Sequence, residues 1–592
     1  MRASRVGLVT LDGYYPPYPN QCHENMTQAF YTRILTGTEI IADPEGKEDR
    51  QYFIRREKAW KRAFPFEPPE PLKVPSTEAW LESMLRSEDK ERVRTFRDAI
   101  REVETTTWNS LREKQDPFTK GRIPEMIIDP FIKAESYPGK GDWVKTRNIS
   151  DVNETYAVAH GPAAKGLTEK LKSLWDGSAG VLYTSGYDPS ELGSLVKFNH
   201  EKFAGGLILE NDYSSFEATV STAALALEFY VYRKFMGLSK KEERVFRKQF
   251  HQRIFSKYGH KASRKGGRAS GVGNTSCGNT VINVCLTLIA MEHCLDEKKP
   301  LGEQIFLLAL GDDSLLFMSP EVSKKFRQHQ FLYEVSTAGF NAGVKIHQSH
   351  DLEMAEYCSG WFGYDDKNDV HWFPKAGRVL TKTFFIHRKH NDWKPILKGM
   401  CVGLENGALD PVLAAATSSL VERCGDVEAD MREQAYKTEM ITGKKKSVIR
   451  ASKYSLYVRY GLSCAQIDAL TSYVKDACTT QWPVQLNSNV CPALSVLQQV
   501  DVDMDVTPGK SNVRFDFAGA NVTHLQGYFH SLAGTQFDQT PEEYKYEGKK
   551  QRDVTPMVHY ILPGANKEDR VAHIKKNYYS ELEDSLWGET MD

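Results

Sequence analysis

The chain has 592 residues, more than one hydrophobic core usually serves, so several subdomains are expected. Hydrophobic residues at 40% and charged residues at 26% make an ordinary globular composition. The 77 basic and 78 acidic residues leave a net charge of −1, which excludes a chain-wide basic footprint and makes any nucleic-acid surface a local one.

The ten cysteines contain no Cys-x-x-Cys pair. Cys277, Cys285 and Cys294 lie in apolar helical sequence, where free thiols act as small hydrophobes, so a reducing compartment is expected. Met1 to Asn20 has no apolar core for a secretory signal. No apolar run reaches the length of a membrane span. The longest, Val281 to Met291, contains Asn283 and reads as a buried helix.

Val6 to Thr10 is strand-like. Arg55, Arg56, Lys58, Lys61 and Arg62 surround Trp60, which reads as a solvated helix face or, alternatively, a phosphate-contacting surface. Pro65 to Pro75 forms an extended connector, and Thr77 to Thr107 has a charged helical pattern. Lys133-Ala-Glu135 and Arg147-Asn-Ile149 flank a loop containing Pro138, Gly139, Lys140 and Gly141. The loop is either an ordinary polar one or a set of cations aimed at a triphosphate.

Gly205 to Asp212 reads as a buried strand ending in an acid, and Ser214 to Phe235 as a helix. Ser214-Ser-Phe-Glu217 has capping-box spacing, so Glu217 has a purely structural reading. Lys261, Arg264, Lys265 and Arg268 cluster around Gly266 and Gly267, a charge pattern suited to RNA or nucleotide phosphate. Ser270-Gly-Val-Gly-Asn-Thr-Ser-Cys-Gly-Asn279 then leads into the apolar helix. It is neither a Gly-Lys-Ser/Thr phosphate loop nor a dinucleotide fingerprint.

Phe306 to Phe317 places two apolar runs on either side of Gly311-Asp312-Asp313. That pattern reads as two buried strands joined by a tight turn. Two adjacent carboxylates beside so much apolar sequence are costly unless neutralised, and a hard divalent cation is the natural partner. Alone, the tripeptide also reads as an exposed turn with two solvated acids. Pro320 to Ala338 is helical with Gly339 as its stop, and Val344 begins a strand. Tyr357 to Phe362 and Arg378 to Phe385 read as further strands. Asp392 to Cys478 is mostly helical, broken at Gly403, Gly407 and Gly461, with Lys444 to Lys446 in a solvated loop. Pro492 to Asp592 is polar, with a helical stretch at Lys567 to Trp587.

An acid at a strand end, a Ser-Gly loop opening a helix and a Gly-Asp-Asp turn follow one another in that order. The series resembles the palm of viral RNA-dependent RNA polymerases of positive-strand RNA viruses, of the tombusvirus- and nodavirus-like kind. The first motif of that family, Asp-x4-Asp, is matched by Asp212 and, with Glu in place of the second acid, Glu217. The second is matched at Ser270, Gly271, Asn274, Thr275, Gly278 and Asn279, and the third at Gly311-Asp312-Asp313. Lys133, Glu135 and Arg147 resemble the fingers motif, Ala338-Gly-Phe340 with Lys345 the fourth palm motif, and Tyr357-Cys-Ser359 the fifth.

The resemblance implies an α+β right-hand fold with an antiparallel-sheet palm and a mainly helical thumb. It divides the chain into an N-terminal extension and fingers (1–204), palm (205–235), a fingers insertion (236–268), palm (269–385), thumb (386–491) and a C-terminal extension or tail (492–592). It implies RNA-directed RNA synthesis from NTPs, with Asp212, Asp312 and Asp313 holding Mg²⁺, or Mn²⁺ in its place. A pair of such ions, roughly 3.5–4 Å apart, binds attacking and leaving oxygens in phosphoryl transfer. Lys133 and Arg147 are implied to meet the triphosphate. Glu217, Ser270, Gly271, Thr275 and Asn279 are implied to bind the nucleotide and its 2′-hydroxyl, and Lys345 to donate a proton to pyrophosphate. Lys261, Arg264, Lys265 and Arg268 are assigned to the template. RNA, NTPs and other viral replication proteins are the expected partners, at membrane-associated complexes in the host cytoplasm reached through those proteins. An inactive RNA-binding subunit and a reverse transcriptase are the alternatives; Asn279 and the complete acid set argue against them.

Overall fold

The computed structural model describes residues 6–502, apart from 15, 17, 20, 36–50, 65–68, 85–89, 106–123, 138–145, 387–391, 406 and 431–448. The loop at Pro138 to Gly141, Lys444 to Lys446 and Lys567 to Trp587 lie outside the described residues.

The two apolar runs form the strands Ile305–Leu310 and Asp313–Met318, paired as an antiparallel hairpin. They sit inside a five-stranded sheet. Its order is Ala342–Gln348, Leu207–Tyr213, Asp313–Met318, Ile305–Leu310 and Val181–Tyr183, antiparallel except for the last pair. Both faces are covered, which is why the hairpin sequence is apolar without alternation. Leu209, Leu307, Leu316 and Met318 pack into the core shared with helices Thr222–Lys234 and Thr275–Met291. Ile208, Phe306, Leu308, Leu315 and Phe317 pack the other way, against helix Pro189–Lys202 and a three-stranded sheet made of Glu356–Tyr357, Gly360–Tyr364 and Val370–Pro374.

A separate four-stranded sheet joins Asn148–Val152, Ile127–Ile132, His251–Phe255 and Lys261–Lys265 in that order. A third core is helical: Lys394–Glu405, Pro411–Cys424, Lys453–Tyr460, Cys464–Thr480 and Ala493–Val502. The N-terminal strand belongs to this last core. Val9–Leu11 pairs in parallel with Val484–Leu486, and Val6–Gly7 pairs with Phe385–Ile386. Nothing in the local sequence of a five-residue run specifies a partner so distant.

Several expected elements break where tertiary contacts intervene. Ser214 to Phe235 is two helices, Phe216–Thr219 and Thr222–Lys234, separated by extended Val220. The second is capped by Ser221, whose hydroxyl accepts from the Ala224 N–H at 3.1 Å. Ser215 is left-handed at φ 56° and makes no cap bond, so the capping box does not form and Glu217 does not serve as its partner. Pro320 to Ala338 divides into Pro320–Lys325 and Gln328–Thr337, and Gly339 at φ 86° ends it. Thr77 to Thr107 contains helices Thr77–Met84 and Lys90–Thr105.

Tyr357 to Phe362 lies in strands at both ends but is a hairpin and not one strand: Cys358 and Ser359, both left-handed at φ 50° and 62°, turn the chain between Glu356–Tyr357 and Gly360–Tyr364. Arg378 to Phe385 is mainly helix, Ala376–Lys382, because Gly377 lies against the Leu497 backbone of the last described helix. Gly403 is buried inside helix Lys394–Glu405 rather than breaking it, whereas Gly461 at φ 68° ends Lys453–Tyr460. The Arg55 to Arg62 cluster divides: Arg55, Lys58 and Lys61 are exposed, while the others serve as scaffolding. Trp60 is fully buried, Arg56 binds Glu292 and Glu334, and Arg62 donates to the Asp296 and Lys299 carbonyls.

Candidate active site

The sheet register builds the acid cluster. Ser314 lies opposite Asn211, so one residue further on Asp313 comes beside Asp212 from the neighbouring strand. Leu310 pairs with Asp313, which leaves Gly311 and Asp312 as a two-residue turn. Gly311 has φ 66° and nothing within 4 Å of the position a Cβ would take. Its requirement is therefore conformational: a glycine at the first central position of a hairpin turn.

The turn is clamped from behind by helix Thr275–Met291. The Gly311 N–H donates to Thr280 Oγ1 at 2.8 Å. Asn283 Nδ2 donates to the Gly311 and Asp312 carbonyls at 3.1 and 3.0 Å, and Tyr213 donates to Asn283 Oδ1 at 3.2 Å. Asn283 is thus the buried polar residue that fixes the acids in place. Its signal in the sequence is the amide inside the apolar run Val281 to Met291.

Burial pushes the Asp312 carboxyl up to about 7, helped by Glu217 and Asp313. Burial also raises Asp313, followed by the charge of Asp212, while the Cys358 thiol donates to it and opposes the shift. No salt bridge reaches Asp212, Asp312 or Asp313 among the described residues, nor do three His, Cys, Asp or Glu side chains converge there as a ready-made metal cluster.

A cavity of about 370 Å³ opens beside the acids, lined by Asp212, Asp313, Lys345, Glu356, Ser359 and Lys375 among others. Lys345 stands 3.7 Å from both Glu210 and Glu356, with its side chain mostly in solvent. Glu356 binds Lys375 at 2.5 Å and buried Arg459 at 3.0 Å. Burial disfavours the Glu356 carboxylate, but these cations outweigh it and hold the group below its usual range.

Lys133 and Arg147 meet on Glu135, each at 3.3 Å, and Lys382 joins at 3.5 Å. Burial opposes ionisation of Glu135, yet Arg147, Lys133 and Lys382 lower its pKa overall. The Ser-Gly loop is laced to the same strand region. Ser270 Oγ accepts from the Ser150 N–H, and the Gly271 N–H donates to the Ser150 carbonyl, both at 2.9 Å. A Cβ at Gly271 would lie 2.8 Å from Asp151 Cα, so that approach requires glycine. Thr275 Oγ1 donates to the Ala269 and Val272 carbonyls, closing the loop on itself.

Three assignments change. Arg264 and Arg268 are buried and cannot serve as template contacts in this arrangement. Arg264 binds Gln252, the Ile34 carbonyl and the Arg268 carbonyl; Arg268 binds Glu228, Gln249 and Asn279. Asn279 is buried too, with its Oδ1 occupied by Arg268 Nε at 3.0 Å. Lys261 and Lys265, on the same strand, are exposed. The sequence cluster was real, but strand alternation sends its members to opposite faces.

Residues 158–375, which carry Asp212, the Ser-Gly loop and the Gly-Asp-Asp turn, match the viral RNA dependent RNA polymerase family. That segment is similar to viral RNA-dependent RNA polymerases, and the curated relatives it resembles are of the tombusvirus-like group. The chain is 24% identical over 408 residues to the RNA-directed RNA polymerase of Turnip crinkle virus, covering 61% of this chain and 50% of the relative. Identity is 31% over 279 residues to that of Groundnut rosette virus, 44% of this chain and 32% of the relative. For Tomato bushy stunt virus it is 28% over 295 residues, 46% and 35%. The chain therefore spans half or less of the length of these relatives. Lys133 and Arg147 precede the matched segment.

Proposed function

We propose that the chain is an RNA-directed RNA polymerase that extends RNA from NTPs on a viral template. The observation that carries the reading is a sheet register that brings Asp313 beside Asp212 and puts Asp312 in the adjoining turn, with no salt bridge to any of the three among the described residues, inside the family-matched segment. In a right-hand arrangement the five-stranded sheet is the palm, the four-stranded sheet belongs to the fingers, and the helical core from 394 onward, with the N-terminal strand, is the thumb.

Asp212, Asp312 and Asp313 supply the hard oxygen donors that suit Mg²⁺ or Mn²⁺, and their mutual repulsion is what a cation would relieve. Held by Asp212, Asp312 and Asp313, such ions would supply the acidification of a 3′-hydroxyl and the neutralisation of triphosphate charge known from two-metal phosphoryl transfer. The chain's own residues position and neutralise. Arg147 and Lys133, preorganised on Glu135, turn toward the triphosphate. Lys345, at the mouth of the cavity, is placed to give its proton to pyrophosphate. Ser270 offers a hydroxyl whose proton is not used by its bond to Ser150, which lets it donate to a ribose oxygen.

The test is RNA-templated incorporation of labelled nucleotides in Mg²⁺ by the wild-type chain and by Asp312→Ala. Metal-dependent synthesis that disappears in the variant supports the reading. Equal synthesis by both, or none by wild-type protein on any template, counts against it.

A further inference from the structure

A closed hydrogen-bond ring lies behind the Ser-Gly loop, and the proposed chemistry does not use it. Arg268 is its centre. Its backbone N–H donates to the Glu217 carbonyl at 2.7 Å, which ties the loop to the turn after the Asp212 strand. Its guanidinium reaches three other elements: Glu228 of helix Thr222–Lys234, Gln249 Oε1 at 2.9 Å, and Asn279 of helix Thr275–Met291. Glu228 uses its second oxygen to accept from Asn274 Nδ2 at 2.6 Å, and Asn274 Oδ1 accepts from Gln249 at 3.0 Å. The side chains of Arg268 and Glu228 are both fully excluded from solvent.

The glycine pattern of the motif is explained by this ring. A Cβ at Gly278 would collide with the Glu228 carboxylate and stand 2.8 Å from Arg268 Nη2. Gly278 is therefore absent a side chain because the ion pair occupies that space. A buried, fully bonded ion pair is a poor source of stability, since desolvation offsets the attraction. Its geometry is nonetheless rigid, because a guanidinium fork fixes every partner at once.

We propose that Arg268 and Glu228 are positioning residues for sugar selection: they lock Glu217, the Ser270 loop and Asn279 into one body, so that the loop discriminates a ribose from a deoxyribose. The inference rests on the polymerase reading. Asn279 acts in it through Arg268 rather than by touching the sugar. Discrimination against a missing hydroxyl depends on donors and acceptors that stay where they are when the hydroxyl is absent. A loosened loop re-pairs its polar groups and loses that penalty.

The experiment compares ATP with dATP incorporation on an RNA template, with KM and kcat measured for each. Three full-length variants are used. Gln249→Leu removes a neutral arm of the ring. Glu228→Leu/Arg268→Met removes both charges together, which avoids stranding one of them. Gly278→Ala presses on the pair from the helix side. The expected result is an ATP-over-dATP preference reduced about tenfold or more in Gln249→Leu and in the double variant, with the change mainly a lower KM for dATP. Thermal unfolding of each variant is followed in parallel. Unchanged preference in a folded, active Gln249→Leu overturns the proposal and leaves the ring a structural feature. If the double variant does not fold, Gln249→Leu and Gly278→Ala decide. Wild-type protein that incorporates neither nucleotide refutes the polymerase reading itself, whereas an active variant with unchanged preference refutes only the positioning role.

Discussion

Two groups of carboxylates are treated in opposite ways. Glu135 gathers Lys133, Arg147 and Lys382, and Glu356 gathers Lys375 and Arg459; both are held below their usual range despite burial. Asp312 and Asp313 make no salt bridge among the described residues, and both are raised because burial and neighbouring acids outweigh the opposing charge of Arg147, joined at Asp313 by Lys375. The fold neutralises the acids that hold its parts together. It leaves those at the turn only partly compensated, a costly arrangement unless a cation from outside completes it.

The sharpest way to break this contrast is Asp312→Ala. Incorporation should fall by roughly 10²–10³-fold or more, the scale of losing a dominant electrostatic contact in a transition state. The unfolding temperature of metal-free Asp312→Asn should not fall, since the substitution removes repulsion. A clear drop would show that Asp312 is a structural acid after all.

A buried base without a counter-charge extends the comparison to pH. His160 accepts the Gly273 N–H on Nε2 at 3.0 Å and pairs Nδ1 with the Tyr156 carbonyl, so it is neutral. Burial depresses it to about 4. The unfolded chain binds this proton below about 6.5 and the folded chain only below about 4. Stability should therefore be lost as pH falls through that window, by about 3 kcal/mol from this group. Burial depresses His260 to about 4 as well, with the charge of His23 adding to it, and it contributes over the same range. Denaturant titrations at pH 4.5 and 7 check the slope, which His160→Gln should flatten.

Glu356→Gln keeps the shape of the compensated site and removes its charge. Lys375 and the buried Arg459 then each lose an ionic partner, at a cost of about 1–3 kcal/mol read from denaturant unfolding. The smallest effect belongs to Lys58→Ala. Its pair with Glu297 is largely solvated on both sides, so the change should lie within about 0.5 kcal/mol.

Much of the site was legible before any coordinates. The hairpin, the strand carrying Asp212, the buried helix and the Gly339 stop all follow from local pattern. The misreadings share one cause. Arg264 and Arg268 looked like surface cations because charge clusters usually are, but alternation along Lys261–Lys265 and the ring around Glu228 turn them inward. Arg378 looked like strand, yet the helix there is stabilised by packing at Gly377 against residue 497. Glu217 had the spacing of a cap, and left-handed Ser215 cancelled it.

Sequence alone determined which residues could carry the chemistry, because acid, glycine and amide requirements are local and leave spaced signatures: Asp212, Ser270 to Asn279, Gly311 to Asp313. Only the tertiary structure decided what neutralises what. Whether a charge is stranded or paired depends on partners tens to hundreds of residues away, as Glu135 with Lys382 and Arg459 with Glu356 and Asp501 show. Coulomb attraction depends on distance in space and on burial, and neither is written in the order of the chain.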